Sequence, residues 1–120
     1  MSVVNWIKSR FSSRAKALSL YRRGMACAQR QDHQGAIDDY GATIDMPNGP
    51  PDVRAMALFN RALVYAADGD DAKATDDLNL VLAMAKTPPD VKTEARRKLK
   101  RMRRQSSKVN VNQLAGIMDE

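Results

Sequence analysis

Two adjacent carboxylate pairs, Asp38-Asp39 and Asp76-Asp77, are the first candidates for chemistry in this chain, because paired acids can divide the roles of general acid and base. Neighbouring residues on a helix point about 100° apart, however, and the second pair is a copy of the first one period later. Both are read as a solvated helix face. Asp68-Gly69-Asp70-Asp71 offers oxygen ligands but lacks the loop length and closing glutamate of a calcium site. Cys27, the only cysteine, falls on an apolar stripe and is read as a small core filler; it excludes an internal disulfide and fits a reducing compartment. His33, the only histidine, stands beside Asp32 and is read as a solvent-facing turn residue, and one histidine makes a His-built metal site untenable. With no nucleophile, ligand cluster or phosphate loop, the chain is expected to be a non-enzyme that carries no metal and no cofactor.

Charge is more informative than chemistry. The net charge of +6 is segregated: residues 1–31 hold seven Lys or Arg and no acid, 32–90 hold four bases and eleven acids, and 91–108 hold nine bases and one acid. Basic ends around an acidic middle fit a polyanion partner, or association of end with middle. At 120 residues and 43% apolar content the chain is one domain with enough material for a core. No apolar run approaches a membrane span and the first residues lack the features of a secretory signal, so the expected location is cytoplasmic.

The elements that must position these residues follow from an internal period of 38. Met46, Pro50, Pro51, Asp52, Val53 and Ala57 return as Met84, Pro88, Pro89, Asp90, Val91 and Ala95; Ala17, Arg23, Ala36 and Asp39 return as Ala55, Arg61, Ala74 and Asp77. Periods of roughly 20–50 residues mark stacked supersecondary units. Helical spacing of apolar residues predicts a first helix from about 14 to 31, and Asp32 caps a second that ends before Met46-Pro47-Asn48-Gly49-Pro50. Pro51-Asp52 opens a third, Gly69-Asp70 turns the chain into a fourth, and Pro88-Pro89-Asp90 opens a fifth. The fifth has a narrow seam of Val91, Ala95, Leu99 and Met102, with bases over the rest. Small residues at Gly24, Ala62, Ala36 and Ala74 mark close helix approach, with Tyr40, Leu58, Tyr65 and Leu78 filling the space beside them.

The run Leu58-Phe59-Asn60-Arg61-Ala62-Leu63-Val64-Tyr65, followed by Gly69-Asp70, Ala74 and Leu78, resembles the tetratricopeptide repeat over residues 14–104. The first unit keeps Leu20, Gly24, Ala36 and Tyr40 but has Cys27 where the family prefers tyrosine and Gln31 where it prefers glycine. Its period exceeds the family's usual 34 or so, the surplus falling in the proline loops. The resemblance implies an all-α, right-handed α-solenoid: two tetratricopeptide-like helical hairpins plus a C-terminal capping helix. Residues 1–13 then form an N-terminal amphipathic segment, 14–105 the helical domain, and 106–120 a tail that is a short helix or partly disordered.

Such modules bind partners. By the resemblance, the first helix of each hairpin lines a concave surface that exposes Leu18, Tyr21, Arg22 and Met25, then Met56, Phe59, Asn60 and Leu63, with Glu94, Arg97, Lys98 and Arg101 added by the fifth helix. The expected partner is a protein or peptide with apolar and acidic residues, held by Tyr21, Met25, Phe59, Asn60 and Lys98. The family's clamp for a C-terminal carboxylate is disfavoured, since Tyr21 and Met25 replace its Lys and Asn. The alternative is a nucleic acid or acidic membrane surface bound through Arg97, Arg101 and Arg104. Val3, Val4, Trp6, Ile7 and Phe11, accompanied by Lys8 and Arg10, make a short basic amphipathic segment. It is expected to dock on the stack and shield the first helix, with a membrane surface as the other reading. The tail places Val111, Leu114, Ile117 and Met118 at helical spacing. The oligomeric state is left open.

Overall fold

The computed structural model describes residues 2–118 and, within them, every side chain except those of residues 9–11 and 118. Its helices are α1 (Val3–Gln29), α2 (His33–Ile44), α3 (Pro51–Ala67), α4 (Asp71–Ala83) and α5 (Pro89–Met118), with no strand among the described residues. The starts are those the sequence signals require. Asp32 accepts from the Gly35 amide at 3.0 Å and Asp70 from the Lys73 amide at 3.1 Å, so each short second helix has an aspartate cap. Pro51 begins α3 and Asp52 puts a carboxylate in its first turn, complementing the positive end of the helix.

The ends of α1 and α3 are built alike. The Asp32 amide reaches back to the Cys27 carbonyl and the Asp70 amide to the Tyr65 carbonyl, both at 2.9 Å. Each bond closes around one residue of left-handed backbone, Gln31 at φ 65° and Gly69 at φ 82°. Glycine adopts that conformation freely, whereas glutamine is strained there by about 1 kcal/mol.

Packing is centred on α3, which touches all four other helices. One apolar cluster joins Cys27 of α1, Ala36 and Tyr40 of α2, and Ala57 and Val64 of α3. The other joins Leu58 and Ala62 of α3, Ala74, Leu78 and Val81 of α4, and Ala95, Leu99 and Met102 of α5. The seam expected on α5 therefore covers α4. Helices α1 and α5 also each touch α3, while α2 and α4 do not meet among the described residues.

The close approach differs between the two pairs in an informative way. A Cβ on Gly24 would lie 2.7 Å from Tyr40 Cε1, so the large ring is accommodated only because no side chain faces it. At the positions 38 residues on, Ala62 and Leu78 divide the same space, a larger residue against a smaller one.

Three expectations are corrected. The first helix starts at Val3 rather than near Arg14, because the stretch from Ser9 to Lys16 contains neither glycine nor proline to break it. Consequently the first residues do not dock on the stack: Val3, Val4, Trp6 and Ile7 are exposed on the first turns of α1. Arg10, Phe11 and Met118 lie outside the described side chains. His33 is not a free turn residue, since its Nδ1 pairs with Asp68 Oδ1 and ties the start of α2 to the end of α3. At the other end the segment from Ser106 continues α5 as an exposed helix as far as Met118. The two overhangs stretch the molecule to 75 × 30 × 18 Å.

Two stability predictions follow from the turns and the close approach. Gln31→Gly is expected to raise stability by roughly 0.5–1 kcal/mol in urea melts, by removing the left-handed strain; a lower midpoint would refute that account. Gly24→Ala is expected to lose about 1–2 kcal/mol, its gain in helix propensity being outweighed by collision with Tyr40. In a Tyr40→Leu background the same change should become neutral or stabilising. A double-mutant cycle with no coupling would show that the ring and the glycine do not constrain each other.

Candidate partner-binding face and its ionic supports

Two cross-links fix how α1 and α3 lie side by side. Arg14 donates both guanidinium nitrogens to the Asp52 carboxylate at 3.2 and 3.0 Å, and Asn60 Nδ2 donates to the Tyr21 hydroxyl at 2.6 Å. The partners are 38 and 39 residues apart, so α1 and α3 run parallel in the register of the sequence period. Half-burial pushes the Tyr21 phenol upward in pKa, against the opposing hydrogen bond from Asn60. The Asp52 carboxyl is held below its usual range chiefly by its hydrogen bonds from Arg14.

The residues expected to touch a partner divide into three groups. Tyr21 and Asn60 are joined to each other. Phe59, next to Asn60, is half-buried and packs against the α3–α4–α5 cluster. Met25 and Leu63, equivalent positions on α1 and α3, are large apolar residues left exposed. Lys98 is half-buried on α5, whereas Arg97, Arg101 and Arg104 are exposed. Arg97 is bound at 2.7 Å to Glu94, so one base of the proposed polyanion set is already paired within its own helix. Met25 and Leu63 thus put exposed apolar side chains on α1 and α3 at the place that Arg101 takes on α5 one period later.

Away from these side chains, between the two helices of each pair, are two ion pairs that residue-by-residue reading of the sequence overlooked. Asp39 and Asp77 are buried, contrary to the expectation of a solvated face; only their neighbours Asp38 and Asp76 are exposed. Arg23 donates to both Asp39 oxygens at 3.0 and 2.7 Å, and Arg61 to both Asp77 oxygens at 2.8 Å. Each bridge staples the first helix of a pair to the second with bidentate geometry. The signal was present: arginine and aspartate both recur at the period of 38, with a constant separation of 16. The bridges differ in exposure, the arginine and aspartate side chains being 68% and 10% exposed in the first but 21% and 5% in the second. Tyr65 adds to the second, its ring lying 5.6 Å from the Arg61 guanidinium and 5.5 Å from Lys73 Nζ.

The chemistry available is limited by burial. Burial raises the Cys27 pKa, so the group stays a thiol rather than a nucleophilic thiolate at neutral pH. The Tyr40 phenol is pushed up to about 12, first by burial and then by Tyr21 and Cys27. Among the described residues no three His, Cys, Asp or Glu side chains gather as metal ligands, and no helix is long and apolar enough to cross a membrane.

Comparison with protein-family models, curated proteins and solved structures gives no match. The face is therefore interpreted on its own geometry.

Arg61→Ala, which leaves Asp77 buried without its partner, is expected to cost about 3 kcal/mol. Asp52→Ala, at the half-exposed bridge to Arg14, should cost under about 1 kcal/mol. Equal losses would refute the ranking by burial. Asp39 contributes to the acid limb of stability, as Asp52 does: the Arg23 hydrogen bonds hold its carboxyl below its unfolded value. Its contribution is thus complete above about pH 4 and disappears as pH falls through the folded value. Thermal melts of the parent and Asp39→Asn should converge in acid; a constant gap at all pH values would exclude this origin.

Proposed function

We propose that the chain is a short tetratricopeptide-like array that binds a protein segment bearing apolar and acidic residues, with no reaction of its own. The reading is carried by the exposed Met25 and Leu63, which occupy equivalent places on α1 and α3, a place that the base Arg101 takes on α5 one period later. Contact of α1 and α5 with α3, together with the separation of α2 from α4, supports a stack curved towards the first helices, and hence a concave binding face. In this reading the two helix pairs are right-handed repeat hairpins, α5 is the cap over Leu78 and Val81, and the protein works in the cytoplasm, where one unpaired cysteine is at home.

On this face Met25, Leu63 and Phe59 supply the apolar floor, Tyr21 and Asn60 the polar edge, and Lys98 with Arg101 the cationic wall that selects acidic residues. The partner is sought by affinity capture with the full chain, and the site is tested on whichever protein is recovered. Met25→Asp/Leu63→Asp, both at exposed positions, should abolish capture while leaving the melting temperature within a few degrees of the parent's. Undiminished binding of the partner by that variant would remove the face from the reading.

A second reading is favoured by the exposure of Arg101 and Arg104 along α5. A polyanion bound there would lose affinity with a log–log salt slope near −0.9 per duplex phosphate neutralised. Duplex DNA or RNA that binds at low salt, and is released by Arg101→Glu/Arg104→Glu, would support it; no binding at low salt would end it.

A further inference from the structure

Before its register with α3 begins, α1 has already run for about three turns. Asp52, in the first turn of α3, stands opposite Arg14, so the residues before Arg14 project past the beginning of α3. Residues 2–8 are all exposed. On a helical wheel Val3, Val4 and Ile7 fall within about 100°, and Trp6 lies about 60° to one side. Val3 and Val4 are 72% and 59% exposed beside the exposed Trp6 and Ile7, so these apolar side chains form one contiguous arc rather than scattered positions. Lys8 flanks this arc, and the first 31 residues contain seven bases and not one acid.

That charge separates the possible covers, and the acidic middle of a second copy already spends Asp32, Asp39, Asp52, Asp68, Asp70 and Asp77 on its own caps and bridges. A second copy laid against this face would set bases against bases if α1 met α1. Meeting α5 would place it along a helix whose residues 91–108 hold nine bases and one acid. An anionic bilayer offers the opposite: negative headgroups for the lysines and arginines, and an acyl boundary for the apolar arc, with a tryptophan suited to the interface between them. We propose that the first three turns of α1 form an interfacial membrane-binding helix that lies in the surface of an anionic lipid leaflet and carries the helical stack on its remaining length. This inference is independent of the partner bound by the stack.

The face also supplies its own probe, since Trp6 is the only tryptophan. The full chain is titrated with vesicles of mixed phosphatidylglycerol and phosphatidylcholine, and separately with phosphatidylcholine alone. A blue shift of Trp6 emission and co-sedimentation are expected with the anionic vesicles only, weakening as salt is raised. Val4→Asn/Ile7→Asn should lower partitioning by at least about tenfold, through loss of buried apolar area. Lys8→Glu should also lower it. Both sets of positions are exposed, so unchanged melting curves confirm that the variants stay folded. Absence of any shift or sedimentation would overturn the proposal, as would equal binding to the neutral vesicles. A blue shift that grows with protein concentration in plain buffer, together with a doubled mass, would overturn it in favour of a second copy covering the face.

Discussion

Backbone approach between neighbouring helices is the constraint on which the rest of this structure depends. Ala17 and Ala55, Ala36 and Ala74, and Ala57 and Ala95 are pairs 38 residues apart, and every one is fully buried. A larger side chain at any of these places would separate the helices and leave unfilled volume around it, which close-packed interiors do not tolerate. Where the pattern changes, the change is compensated locally: glycine replaces alanine at position 24, and a tyrosine ring takes the place that Leu78 holds in the second pair.

Close approach in turn makes the buried ion pairs possible. An arginine on the first helix of each pair reaches the carboxylate of the second with both arms, over distances of 2.7–3.0 Å in one bridge and 2.8 Å in the other. Such bridges gain little net stability over an apolar contact, because the aspartates lose hydration, and Arg61 does too, while Arg23 stays largely in water. They do penalise alternatives: a slipped register would leave an aspartate buried without a partner. The same logic places the neighbouring Asp38 and Asp76 in water, where they need none.

Charge and apolar surface are both distributed unevenly over an elongated body. α3 touches all four other helices, whereas α1 and α5 each run beyond it, one at its start and the other at its end. The acidic middle is largely consumed by caps and bridges: Asp32 and Asp70 cap helices, Asp39, Asp52 and Asp77 hold arginines, and Asp68 holds His33. Arg14, Arg23 and Arg97 are held by Asp52, Asp39 and Glu94, but the two long helices still carry many more bases than acids, a charge that favours anionic ligands.

The sequence by itself determined the number of helices, their order and their inner boundaries, because these rest on local physics, whereas α1 starts and α5 ends about three turns or more beyond where it put them. Proline can open a helix but not continue one, aspartate caps an exposed amide, and apolar residues at helical spacing mark the buried stripe. The seam of α5 and the small residues of the helix pairs were legible for the same reason. What only the tertiary structure decided were features whose partners are distant along the chain. Whether Asp39 faces water or Arg23, whether Tyr21 and Asn60 meet, and whether the first three turns of α1 fold back or project depend on how helices are placed, which composition and spacing leave open. The candidate face was legible only in part: the exposure of Met25 and Leu63 was expected from their helical positions, but the closure of Tyr21 on Asn60 arises from the lateral fit of α1 on α3. Long-range pairing is selected by the total burial of the fold, and no local pattern encodes that sum.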